Sequence, residues 1–390
     1  MEIKQGIQEE MSNLPITSHT IVIGAGPAGL AVGACLKQAG IPCLLLEQRD
    51  KVGSAWHRHY DRLHLHTDKK NSELPLLPFP KEYPRYPSRT QITAYLESYA
   101  QKFQLDIRFH QQVTSAGCEN NLWDVQTQDK LYRAKNLVIA TGYTRAPFLP
   151  TWPGQELFKG ILMHSSEYKN GERFRAKKAL VVGFGNSGGE IAIDLWEHGA
   201  QVGLSVRSAV NVIPRDLFGI PILSIGILQS KLSARVADAI NAPILRFAVG
   251  DITRYGLQKL PYGPITQIRR DAHIPLIDVG TLKLIRNGQI TVHKGIREFT
   301  ENGVIFDDEK QAQFDAVILA TGYRPRVNEF LTGLPAAVYD ESGTPLSSGR
   351  ETGLPGLYFC GYFVAATGMF REIGIEAKQI SASIAAKKLS

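Results

Sequence analysis

Short, strongly apolar runs alternate along the chain with glycine-rich breaks, and one pattern of runs and breaks occurs twice. Residues 19–48, HTIVIGAGPAGLAVGACLKQAGIPCLLLEQ, and 178–208, KALVVGFGNSGGEIAIDLWEHGAQVGLSVRS, each open on a β-branched apolar run. Each continues through a glycine cluster, a stretch of small and apolar residues at helical spacing, and a second apolar run. That order predicts strand, tight turn, helix and parallel strand, a βαβ unit. Two further runs, NLVIATGY at 136–143 and DAVILATGY at 315–323, end alike and are followed by Pro147 and Pro325. Each predicts the returning strand of its own unit, with proline marking the exit from the sheet. The last apolar run, GLYFCGYF at 356–363, precedes a helical C-terminus and predicts a return to the first unit. In ITAYLESYAQKF, Ile92, Tyr95, Leu96, Tyr99 and Phe103 share one helical face and predict core.

The glycines give the two units a chemistry. Gly24, Gly26 and Gly29 in the first, and Gly183, Gly185 and Gly188 in the second, form G-x-G-x-x-G at a strand-to-helix turn. Such a turn brings backbone N–H groups and the positive end of a helix onto a pyrophosphate. The second strands end differently. Glu47 lies where a carboxylate accepts hydrogen bonds from a ribose diol, whereas Arg207 and Ser208 lie where a cation suits a 2′-phosphate. The first site is therefore expected to take FAD and the second NADPH. The fold class expected is α/β, with two Rossmann-like dinucleotide-binding domains and the NADP domain inserted in the FAD domain. Residues 1–150 and 326–390 are assigned to the FAD domain and 151–325 to the NADPH domain.

Composition narrows the rest. A hydrophobic fraction of 43% with 21% charged residues fits a globular protein, and 390 residues suffice for two cores. The net charge of +7 comes from scattered basic residues, which disfavours nucleic acid and suits anionic cofactors. Cys35, Cys43, Cys118 and Cys360 are widely spaced, with no CxxC pair; they read as buried thiols in a reducing, cytoplasmic setting. The first twenty residues are polar and carry no signal-peptide core, and no run is long enough for a transmembrane segment. LFGIPILSIGIL at 217–228 is expected to pack as core rather than to line a substrate entrance or lie on a membrane. His57, His59, His64 and His66 invite a metal, but no carboxylate or cysteine frame completes a site, so none is expected.

Hydride transfer between two dinucleotides needs a final acceptor. Without a redox cysteine pair beside the flavin, a disulfide reductase is disfavoured and oxygen is the natural acceptor. FKGILMHSSEYKNG, residues 158–171, then carries a resemblance. Phe158, Gly160, His164 and Tyr168 match FxGxxxHxxx(Y/F), the identifying motif of class B flavin monooxygenases. Together with YDRLHLH, ELPLLPFP, YPSRTQITAYLESYA, VVGFGNSGGEIAIDL, DVGTLKLIRNGQITV and ILATGY, the chain resembles the YUCCA branch, which converts indole-3-pyruvate to indole-3-acetate. Tyr168-Lys169 stands where Baeyer–Villiger members carry Trp-Pro, which disfavours that branch, and Thr67-Asp68 stands where many animal members carry Thr-Asn.

The resemblance implies that Gly24, Gly26, Pro27, Ala28, Gly29, Glu47 and Gln48 hold FAD, with Trp56, Leu65, His66 and Thr67 against the flavin. Val113, Thr141, Gly142 and Gly361 complete the candidate FAD contacts. Gly183, Gly185, Asn186, Ser187, Gly188, Arg207 and Ser208 would hold NADPH, and Thr321, Gly322 and Tyr323 would lie near the interdomain cleft. Oxygen would be carried as a flavin C4a-hydroperoxide, so no side chain is assigned as catalytic; His164 and Thr67 are supporting residues. The partners expected are a small organic substrate and O2, with a homodimer as the assembly considered. N- or S-oxygenation, NADPH-driven reduction of thiols or quinones, and nucleotide sensing without turnover remain the alternatives. Residues 158–171 are too polar for core and are expected to form a linker between the domains. In it Gly160 would give a turn, Phe158 and Tyr168 would dock, and His164 would tie loops together.

Overall fold

The structure, a computed structural model, describes residues 15–335 and 337–389; of the polar N-terminal stretch, residues 1–14 lie outside that range. The first half runs β1 (Ile16–Ile23), α1 (Pro27–Gln38), β2 (Cys43–Leu46), α2 (Arg89–Lys102), β3 (Asp106–Arg108), β4 (Val113–Glu119), β5 (Leu122–Thr127) and β6 (Leu131–Ile139). β3, β2, β1 and β6 lie side by side and parallel, while β4 and β5 extend the sheet as an antiparallel meander from the first half of β6. α1 is buried from Ala28 to Leu36, because its small residues let backbone approach the sheet closely. α2 starts at a capping box between Ser88 and Gln91. It buries Ile92, Tyr95, Leu96 and Tyr99, with Phe103 half-buried beside them. Its tyrosines also donate to backbone, Tyr95 to Leu77 and Tyr99 to Pro75, each at 2.6 Å, which pins the preceding loop.

The second half runs β7 (Ile161–His164), β8 (Lys178–Val182), α3 (Asn186–Glu197), β9 (Gln201–Ser205), α4 (Ile222–Leu228), α5 (Ala234–Val249), β10 (Ile290–His293) and β11 (Ala316–Leu319). Its sheet has the order β10-β9-β8-β11-β7 and is parallel throughout. The chain then returns: β12 (Leu357–Phe359) pairs in parallel with residues 137–139 of β6, and α6 (Met369–Leu389) packs along α1. Outgoing and returning segments pair with each other. Tyr323 and Arg324 form an antiparallel ribbon with Pro147 and Ala146. Phe148 N donates to Gly322 O at 2.9 Å, and Thr321 Oγ1 donates to Phe148 O at 2.6 Å.

Four expectations are corrected. Residues 161–164 are the edge strand of the second sheet rather than linker, in register with Ala316–Leu319. An edge strand needs only a few apolar residues, and Ile161, Leu162 and Met163 provide them between polar flanks. The segment is not too polar for burial either: Met163, His164 and Tyr168 are 8%, 2% and 1% exposed. The run 217–228 is not simple core, since Leu217 and Leu223 are buried but Phe218 and Leu228 stand exposed. Finally, the thiols are not uniformly buried: Cys35 and Cys360 are, Cys43 is partly so, and Cys118 is exposed on β4.

Candidate functional site

The two glycine turns superpose in their constraints. Gly24 and Gly183 have φ of +107° and +105°, and a Cβ on them would fall 2.6 Å from Ala140 O and 2.5 Å from Ala320 O. A Cβ on Gly29 would sit 1.9 Å from Gly24 O, and one on Gly188 would sit 2.1 Å from Gly183 O. These four glycines let helix, turn and returning strand pack. Gly26 and Gly185, the residues that cap α1 and α3, have nothing within 4 Å of that position. Each turn therefore keeps one bare, open side at a helix N-terminus, the cradle a pyrophosphate needs.

The first cradle opens into a cavity of about 300 Å³. Gly24, Gly26, Pro27, Ala28, Glu47, Gln48, Trp56, Val113, Thr141, Gly142 and Gly361 line it; Gly29 lies behind the turn. Glu47 is 6% exposed and already held in place. Oε2 accepts from Ala25 N at 2.9 Å, and Oε1 accepts from Arg49 N and Ser54 Oγ, each at 3.0 Å. A carboxylate has about four acceptor sites, so one remains for a ribose hydroxyl. Thr141 shares a 2.8 Å hydrogen bond with the Tyr362 hydroxyl. His59 also lines this cavity, and burial together with Arg58, Lys169 and Arg89 pushes its pKa down to about 4.

At the second cradle Asn186 accepts at Oδ1 from Ile277 N at 2.8 Å. Arg207 and Ser208 lie exposed just beyond β9. Arg207 has no ion pair among the described residues, and its stem rests on the bare backbone of Gly295. Such a cation is free to pair with a phosphate. Ser187 faces Tyr60, whose hydroxyl proton burial holds well above its ordinary value, with Glu190 reinforcing the shift. His66 pairs with the buried Glu190 of α3, so the LHT segment of the first half is tied to the second helix.

The 158–171 segment packs within the second half through Phe158 and Tyr168 and reaches the first half through Lys169. Gly160 does not serve a left-handed turn; a Cβ there would fall 2.4 Å from Phe158 Cζ and 2.8 Å from Asp315 O. Its bareness lets the Phe158 ring fold back toward Phe299. Tyr168 donates to Asp194 Oδ2 at 2.5 Å, docking on α3. Lys169, which sequence reasoning passed over, donates to Arg58 O at 2.6 Å and reaches His57 O and His59 O at 3.3 and 3.4 Å. It thereby closes the C-terminal end of the short helix Ser54–Arg58, which carries Trp56. Only the lysine beside the motif tyrosine signalled this.

His164 reaches the returning ATGY segment. Its Nδ1 accepts from Ser166 N at 3.1 Å, leaving the hydrogen on Nε2 to be donated to Gly322 O at 3.1 Å. Burial lowers its pKa, opposed by the Gly322 hydrogen bond. Neither nitrogen is left to take a substrate proton. Tyr323 meets the imidazole edge-on at 5.1 Å.

A second cavity, of about 370 Å³, lies against the first. Trp56, Met369 and Phe370 line both. Leu65, His66, Thr67 and Asn186 also line it, and the wall is otherwise mostly Ile, Leu and Pro, with Leu217, Ile222, Leu223, Ile225 and Gly226 from the 217–228 run. That run lines a cavity because its short helix exposes one face to α5 and residues 274–277, a tertiary arrangement that local apolarity does not encode. None of the four cysteines lines either cavity.

Residues 21–215 match the pyridine nucleotide-disulphide oxidoreductase family. The chain is 39% identical over 363 residues to a probable indole-3-pyruvate monooxygenase, YUCCA1, of Arabidopsis thaliana, covering 91% of this chain and 87% of that one. It is 43% identical over 316 residues to the indole-3-pyruvate monooxygenase YUCCA1 of Oryza sativa subsp. japonica, covering 80% and 78%. Among solved structures, a flavin-containing monooxygenase from Stenotrophomonas maltophilia shares the fold with a TM-score of 0.72 at 22% identity, over 96% of this chain and 99% of that one. With its two dinucleotide cradles and these relatives, the chain belongs to the YUCCA family of flavin-dependent monooxygenases.

Proposed function

We propose that this FAD- and NADPH-dependent monooxygenase acts on indole-3-pyruvate, converting it with O2 and NADPH to indole-3-acetate, CO2, water and NADP⁺. The observation that carries the substrate reading is the apolar cavity of about 370 Å³ that shares Trp56, Met369 and Phe370 with the first dinucleotide cavity. It offers a flat apolar group a dry seat beside the reacting centre. The indole-3-pyruvate activity named for the plant relatives supports the choice.

In this reading residues 1–150 and 326–390 hold FAD and 151–325 hold NADPH. The Gly24–Gly29 turn takes the FAD pyrophosphate, Glu47 the ribose, and Trp56, Leu65, His66 and Thr67 border the flavin. The Gly183–Gly188 turn, Asn186, Ser187, Arg207 and Ser208 take NADPH. Bound FAD, reduced by NADPH, supplies the oxygen activation and transfer. The protein positions the two dinucleotides, excludes water with its isoleucine and leucine wall, and holds the halves in register through His164, Lys169 and the His66–Glu190 pair. The unpaired cysteines support a cytoplasmic site of action.

The second reading, N- or S-oxygenation of a neutral amine or thioether, rests on one observation. Among the described residues the cavity lining holds no lysine or arginine to meet a keto acid carboxylate, only His64 and His66. One experiment separates the readings. Purified yellow protein is given NADPH and O2 with indole-3-pyruvate, and separately with neutral amines and thioethers. Oxygen uptake with stoichiometric indole-3-acetate supports the first; oxygenation confined to the neutral compounds replaces it with the second.

A further inference from the structure

In the wall of the apolar cavity sits a polar feature outside both dinucleotide assignments. Gln229, just after α4, and Asn241, on α5, both line the cavity and bond each other reciprocally. Gln229 Nε2 donates to Asn241 Oδ1 at 3.0 Å, and Asn241 Nδ2 donates to Gln229 Oε1 at 2.8 Å. Both side chains are only half-buried. A primary amide has two donor hydrogens and two acceptor lone pairs. The reciprocal pair therefore leaves each residue one N–H and one lone pair, in a wall formed otherwise by Ile240, Ile244, Leu245 and Ile225.

The other polar side chains of the lining each bond a neighbour through one atom or belong to the dinucleotide assignments, as Trp56 and Asn186 do. Asn186 holds Ile277 N, Thr67 bonds Ser72, His66 pairs with Glu190, and His64 Nδ1 lies 2.7 Å from Arg62 O. The amide pair combines a pre-organised geometry with spare hydrogen-bonding capacity at a place that neither dinucleotide assignment uses. Two helical segments deliver it: α5 begins at a Ser233 cap and carries Asn241, while Gln229 is the residue that ends α4. Polar groups placed sparsely in an apolar pocket orient a ligand.

We propose that the Gln229–Asn241 pair is the specificity element of this cavity, accepting the ring N–H of a bicyclic heteroaromatic substrate and thereby favouring an indole over isosteric rings that lack a donor. The inference rests on the indole-3-pyruvate reading for the name of the substrate, but its test needs only binding. The mutual bonds fix both carbonyls, so an N–H reaching either lone pair costs little reorganisation, while a ring oxygen or sulfur forfeits the bond.

The probes are indole-3-acetate and benzothiophene-3-acetate, titrated calorimetrically into the FAD-loaded protein with NADP⁺ present. One hydrogen bond to a carbonyl predicts a preference of roughly tenfold for the indole. Gln229→Met with Asn241→Leu removes both amides at nearly constant volume and leaves no orphaned partner, a change that cores tolerate well. It is expected to bring the two affinities together. The exchange Gln229→Asn with Asn241→Gln keeps both amides and is expected to retain the preference, which separates recognition from packing. Equal affinities in the unaltered protein, or a preference that survives loss of both amides, overturns the proposal. A protein that prefers the indole probe yet produces no indole-3-acetate from indole-3-pyruvate upholds the pair and removes the substrate reading.

Discussion

The two βαβ units use one backbone design and end it in opposite ways. Their glycine turns agree closely, with φ of +107° and +105° and matching close approaches at Gly29 and Gly188. The strand ends share nothing. Glu47 is buried and held by three donors, whereas Arg207 is exposed and has no ion pair among the described residues. In the proposed assignment the backbone turn takes a pyrophosphate, and one side chain at the second strand decides which nucleotide. On that assignment the anionic site is pre-organised for a neutral diol, and the cationic one would receive its counter-charge from the nucleotide. That difference suits a cofactor that stays and one that must come and go.

The strongest test of this division is to close each turn separately. Gly29→Ala places a carbon 1.9 Å from the Gly24 carbonyl, well inside contact distance, and backbone must shift to relieve it. The expected product is a colourless protein that does not retain FAD. Gly188→Ala, whose carbon falls 2.1 Å from Gly183 O, should instead purify yellow but fail to be reduced by NADPH. Flavin absorbance and anaerobic reduction check both. If Gly188→Ala also loses FAD, the halves are not separable.

Acid should weaken the first half through His59. The unfolded chain holds its histidine protons with a pKa near 6.5, while folded His59 releases its own down to about 4. Protons thus bind preferentially to the unfolded state between those values, so this contribution to stability is complete above pH 6.5 and falls as the pH drops toward 4. Each pKa unit is worth about 1.4 kcal/mol, so the full loss is about 3 kcal/mol. His59→Gln should flatten the dependence of thermal stability and flavin release over that window. An unchanged pH profile would remove His59 as the cause.

The nucleotide assignment is tested next. A charge-assisted hydrogen bond contributes roughly 1.5–3 kcal/mol, so Arg207→Ala should raise KM for NADPH by about ten- to a hundredfold and leave NADH unaffected. Glu47→Gln should weaken FAD retention and leave the preference for NADPH over NADH intact. Equal losses with both nicotinamide cofactors in Arg207→Ala would remove the 2′-phosphate role.

What could be read without the structure divides along the same lines. The glycine turns, the strand-end residues 47 and 207 and the return of residues 357–359 were legible, because short-range spacing and apolar runs encode βαβ units directly. The cavity was not. Its wall comes from α4, α5 and residues 274–277, brought together by tertiary packing, so residues 217–228 read as core when seen alone. Lys169 was illegible for a related reason: its partners are backbone carbonyls at residues 57–59, which no residue type announces. Strand β7 was masked by polar neighbours, since an edge strand of four residues gives too short a period to stand out.

His164 gives the finest discrimination, because it belongs to the second sheet yet acts on the return to the first. At the end of β7 its Nε2 donates to Gly322 O, and Gly322 O in turn accepts from Phe148 N on the outgoing crossing. One carbonyl thus receives hydrogen bonds from the motif and from the ribbon that links the halves. Loss of one such bond costs about 1 kcal/mol, enough to change the relative placement of the cradles several-fold in population but not to dismantle either. His164→Ala should therefore release several-fold more hydrogen peroxide per NADPH consumed, as the halves hold NADP⁺ less firmly, while flavin reduction continues. His164→Gln, whose Nε2 can still donate to the carbonyl, should recover part of the coupling. If reduction itself stops in His164→Ala and Gln does not restore it, His164 handles a proton in the reaction, and the two halves are joined by chemistry rather than by position.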